Sequence, residues 1–213
     1  VTLAKDTEFY HQQAPYDEEN HADEFMKHFK EQLRDGSCGN IFPKSIEKGL
    51  YNGFIDGVMA GIHEIFFSSR NVLSKDQRQD FIEIFYLFLQ LKIMELCKAN
   101  IVGYTCKDSI DVAECSGAQL FIFLKLLQQE RLSEHDQEQL DVMLYAPSLL
   151  VRERLMLPDR FNRMLSTVKV LEAVKHQLGN KQFFKEIQEV FGKYFKSGIL
   201  HSKVAVQRSK DRL

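Results

Sequence analysis

The chain has 213 residues, 44% of them hydrophobic and 27% charged, with only four prolines. That length is enough for one domain with a full core. A net charge of −2 gives no overall drive toward nucleic acid or an anionic membrane, and no nucleic acid is expected as a partner, although it leaves open a local patch that holds phosphate.

Residues 1 to 16 read as an irregular segment closed by Pro15. From Asp17 to Arg34, Phe25, Phe29 and Leu33 recur every fourth residue, which predicts an amphipathic helix stopped at Asp35-Gly36. His21 and His28 fall two turns apart on it, a spacing that would let them share a metal, but no third ligand is evident and solvated polar groups are the simpler reading. A second helix is expected from about Pro43 to Phe67, with Gly49, Gly53, Gly57 and Gly61 at every fourth position. Each glycine costs a helix about 0.8–1 kcal/mol against alanine, so the stripe calls for close approach of another backbone along a central buried helix. Asp56 and His63 lie seven residues apart on that helix, placed either for acid–base work or as satisfied polar groups at a core edge.

Ser74-Lys-Asp-Gln77 has capping-box spacing and opens an almost wholly apolar helix to about Lys98. An apolar strand at about 100–105 then leads to Cys106, a polar turn and another apolar helix to Gln129. Ser133 starts a short helix, and Pro147 and Pro158 bracket Ser148 to Leu157, where Arg152 and Arg154 stand close together. Helices are expected at Asp159 to Leu178 and Lys181 to Lys196, broken at Gly179-Asn180, with a short strand or extended tail at Ile199 to Gln207. The predicted architecture is mainly α: a single helical domain over 17–198 with a small sheet, flanked by segments 1–16 and 199–213.

Cys38, Cys97, Cys106 and Cys115 form no Cys-x-x-Cys pair, which argues against a disulfide framework or a zinc site and for a reducing, cytoplasmic compartment. No apolar run reaches the length of a membrane span and no charged-then-apolar leader opens the chain. Val1 in place of an initiator Met reads as processing or as a piece of something longer. Neither a Walker loop, a dinucleotide fingerprint nor a Ser-His-Asp signature occurs, so no cofactor is implied.

Cys106 carries the sharpest chemical signal. A thiol just ahead of a helix N-terminus meets roughly half a positive charge and several unpaired N–H groups, the setting that favours a nucleophilic thiolate and cradles phosphate oxygens. Cys106-Lys107-Asp108-Ser109-Ile110-Asp111 resembles the start of the Cys-x5-Arg loop of the protein tyrosine phosphatase superfamily. Within it, the stretch is most similar to inositol-phosphate phosphatases of the Cys-Lys-x-x-x-Asp-Arg type, found in some bacterial secreted effectors and in inositol polyphosphate 4-phosphatases. The resemblance implies Cys106 as nucleophile, Lys107 facing extra phosphates, Asp111 before the arginine, and a loop from Asp108, Ser109 and Ile110 through Val112 and Ala113 around the phosphate. The arginine position is Val112, and the match spans some twenty to thirty residues.

Valine cannot replace the bidentate guanidinium, which in phosphoryl transfer is worth about 10³–10⁵ in rate. Arg152, Arg154, Arg160 and Arg163 are the candidates to supply a cation from later helices. Three functions follow as expectations. The first is a catalytically inactive phosphatase-like module that binds a protein partner, a phosphorylated inositol or a phosphopeptide, in host cytosol if the protein is a secreted effector. The second is a cysteine-dependent phosphatase with a borrowed cation. The third is a helical interaction module unrelated to phosphatases.

Overall fold

The computed structural model describes residues 1–107, 110–128, 132–196, 198–202 and 204. Its architecture is mainly α, with helices α1 Glu8–His11, α2 Ala22–Arg34, α3 Lys44–Tyr51, α4 Phe54–Phe67, α5 Lys75–Cys97, α6 Val112–Leu127, α7 Glu134–Arg152, α8 Pro158–Leu178 and α9 Asn180–Phe191.

α5 is the axis of the molecule. The Ser74 hydroxyl accepts from the Gln77 N–H while the Gln77 side chain accepts from the Ser74 N–H, so two orphan donors are satisfied where the helix starts. Beyond that cap, Phe81, Phe85, Tyr86, Phe88 and Leu89 are all buried, and α4 and α8 pack along it. α2 adds Phe25, Phe29 and Leu33, the every-fourth-residue stripe, to the same core. A smaller apolar cluster of Cys115, Ala118, Leu140, Leu144, Met156 and Met164 holds α6, α7 and α8 together.

Several expectations are corrected. The segment before α2 contains the short helix α1, capped by the Thr7 hydroxyl on the Tyr10 N–H. The helix expected over 43–67 is two helices, because Gly53 sits at φ +80°, a left-handed conformation that turns the chain between α3 and α4. Side chains rather than a backbone press on the glycine stripe. A Cβ at Gly57 would lie 1.7 Å from the Tyr194 hydroxyl, and one at Gly61 2.5 Å from Val190 and 2.8 Å from Phe191. Pro147 does not end its helix; α7 runs through it to Arg152, with Leu140 and Leu144 anchored in the smaller cluster.

The strand at about 100–105 does not form, and with it goes the small sheet. Among the described residues the β-pairing consists of two isolated bridges, Thr2 with Ile41 and His21 with Val72. Ile101 is 90% exposed and Val102 is also turned to solvent, so these two β-branched residues find neither a ladder nor a core. At the other end, Ile199–His201 is a 3₁₀ turn in place of the expected extended segment, whose positions 203 and 205–207 lie outside the described residues.

Candidate functional site: the turn from Cys106 to Asp111

α5 ends with Lys98 in the left-handed conformation, and the chain returns along its side, held where the Tyr104 hydroxyl donates to Gln90 Oε1 at 2.7 Å. Cys106 follows, half-buried, its thiol donating to the Ile110 carbonyl at 3.0 Å. Lys107 is exposed, and Asp108 and Ser109 lie outside the described residues. Ile110 is buried. Asp111 then stands at the N-cap of α6 with φ +58°. Val112 is the first residue of the helix, and Ala113 is buried behind it.

The Asp111 carboxylate is fully engaged. Arg154 donates to it twice, from Nη1 to Oδ1 at 3.0 Å and from Nη2 to Oδ2 at 2.7 Å, and the Leu157 N–H donates to Oδ1 at 2.8 Å. This bidentate fork is the strong form of the ion pair. Hydrogen bonds from Arg154, joined by the Leu157 N–H, hold the Asp111 carboxyl below the usual carboxylate range, against the opposing effect of burial. Glu114, one turn into α6, accepts from the Asp111 N–H at 2.9 Å and from the Ser148 hydroxyl at 3.0 Å, both on Oε2. Burial pushes its carboxyl upward, and Oε1 has no hydrogen-bond partner. One turn thus ties the start of α6 to the C-terminal part of α7 and to the α7–α8 connection.

Of the four arginines nominated from sequence, Arg154 reaches the turn. Arg152 is exposed on the last turn of α7. Arg160 and Arg163 belong to the N-terminal segment instead. Arg160 donates to the Lys5 carbonyl at 2.8 Å and to Asp6 at 2.9 Å, while Arg163 lies over the Tyr10 ring, 5.2 Å from its centroid. Asp56 and His63 do not work together: Asp56 pairs with Lys30, and His63 bonds to the Arg70 carbonyl at 2.8 Å. His28 pairs with Glu19, and among the described residues no three His, Cys, Asp or Glu side chains gather where a metal could be held.

Comparison with family models, with curated proteins and with solved structures returns no match. Sequence reasoning missed Glu114 and Ser148. For Glu114 a signal existed, since Asp111-Val-Ala-Glu114 has the spacing of a reciprocal N-cap. Ser148 carried none, because its role depends on α7 passing beside α6. Near the turn, Cys115 is packed in the smaller cluster with its sulfur 3.1 Å from that of Met156, and burial pushes its thiol up to about 12.

Proposed function

We propose that the chain is a catalytically inactive helical interaction module in which the phosphatase-like turn serves as a clamp between helices. The observation that carries this reading is the bidentate Arg154–Asp111 pair at the start of α6. A substrate phosphate would need both the positive helix end and a guanidinium fork. Here the protein's own carboxylate sits at the first and fills the second. Further support comes from the surface beside the clamp. Leu149, Leu150, Val151, Leu155 and Leu157, within nine residues of one another, all stand exposed, and exposed apolar groups gathered in this way are characteristic of protein contact surfaces.

The test compares wild type with Val112→Arg on an aryl phosphate and on inositol phosphates. Turnover at background for both is expected; a gain of orders of magnitude in Val112→Arg would overturn the inactive reading. For the interaction surface, a Leu150→Asp, Leu155→Asp double variant that keeps its helical circular dichroism is expected to lose a protein partner that wild type retains.

A second reading, a cysteine-dependent phosphatase with a borrowed cation, draws on the fact that Arg154 reaches the turn. It requires Asp111 to release the fork. Asp111→Asn should then raise turnover and Arg154→Met abolish it.

A further inference from the structure

Beneath Val112 the polar groups of α5, α6 and the N-terminal segment meet around a small space. Glu83 of α5 accepts from Lys5 Nζ at 2.7 Å on Oε2 and from the Tyr10 hydroxyl on Oε1. Gln119 of α6, 2% exposed, lines the same space, and its Nε2 has no hydrogen-bond partner. The cavity between them measures about 10 Å³. One water needs roughly 10–15 Å³ by the same measure, together with two to four polar partners.

We propose that this cavity is an internal hydration site for a single water, which accepts a hydrogen bond from Gln119 Nε2 and donates to the Glu83 carboxylate. Three observations favour water over another occupant. The Gln119 amide presents N–H donors with no acceptor, so the occupant must accept. Each Glu83 oxygen already takes one bond, and a carboxylate has about four lone-pair sites, so room remains for a donor. A group that both accepts and donates within so small a volume is a water; inorganic anions are too large, and Lys5, Arg160 and Arg163 on the walls oppose a cation. The bridge would link α6 to α5 one level below the turn, completing a polar layer that backs Val112.

The experiment is a crystal structure of the whole chain at a resolution that orders internal waters, paired with water-oxygen relaxation dispersion in solution. The expected result is one ordered water within hydrogen-bonding distance of both Gln119 Nε2 and Glu83. In solution, Gln119→Met should hold one fewer long-lived water than wild type. An empty cavity, a Gln119 amide rotated onto a protein acceptor, or an unchanged count in Gln119→Met would overturn the proposal. If Gln119→Met fails to fold, the wild-type crystal structure decides alone.

Discussion

Arg154 and Asp111, 43 residues apart in sequence, meet through two parallel hydrogen bonds of 3.0 and 2.7 Å. The pair fixes the α7–α8 connection against the start of α6, and the Leu157 N–H adds a third bond from just before α8.

Asp111→Asn should destabilise the fold by about 1–2 kcal/mol. Bonds to a charged group contribute about 1.5–3 kcal/mol, discounted here because Arg154 is 37% exposed. The pH dependence has a definite sign. The folded carboxyl titrates below its unfolded value of about 3.9, so the contribution is present above that value and disappears as pH falls through the folded one. Urea unfolding of wild type and variant at neutral pH and at pH near 3 would show the gap closing in acid.

Asp80 makes the opposite prediction. It is buried on α5, accepting from the Ser166 hydroxyl at 2.9 Å and the Thr167 hydroxyl at 3.0 Å, and burial raises its carboxyl to about 6. A raised carboxylate stabilises while protonated. Its contribution is full below the unfolded value near 3.9 and is lost as pH rises through about 6. The move from about 3.9 to about 6 corresponds to about 3 kcal/mol. Wild type should therefore lose stability from pH 4 to 7.5 by about that much more than Asp80→Asn, as read by chemical denaturation across the range.

Arg78 is wholly buried, and all five of its N–H groups have acceptors: Gln12, Asn20 and the carbonyls of Leu73, Tyr16 and Asp17. It pins the segment from Gln12 to Asn20 onto α5. Lysine has three donors and no planar fork, so Arg78→Lys should cost about 3 kcal/mol or more, since each abandoned buried acceptor is worth about 1–3 kcal/mol. Thermal melts should fall by many degrees, with limited proteolysis cutting first before α2.

Gly57 and Gly61 are filled from outside by Tyr194, Val190 and Phe191. Alanine gains about 0.8–1 kcal/mol of helix propensity, but displacing a packed ring or valine costs about 1–3 kcal/mol. Gly61→Ala, facing the fully buried Phe191, should destabilise by about 1–2 kcal/mol in equilibrium unfolding. Gly53→Ala should also destabilise, through its backbone, because φ there is +80°.

The sequence alone determined the helices wherever the signal is local. Phe25, Phe29 and Leu33 bury as their spacing requires, Ser74 and Gln77 form the expected box, and the chain breaks at Asp35-Gly36 and at Gly179. These effects act within a turn or two, so residue types and spacing carry them. Only the tertiary structure decided that Gly53 splits a helix, that Pro147 does not end one, and that residues 100–105 remain outside any sheet. It also decided which groups hold the turn after Cys106. Asp111 is drawn to Arg154 by how α7 and α8 pack against α6, and Arg78 finds its acceptors on a segment some sixty residues away. Such pairings depend on where whole helices come to rest, and a spacing along one chain segment holds no record of that.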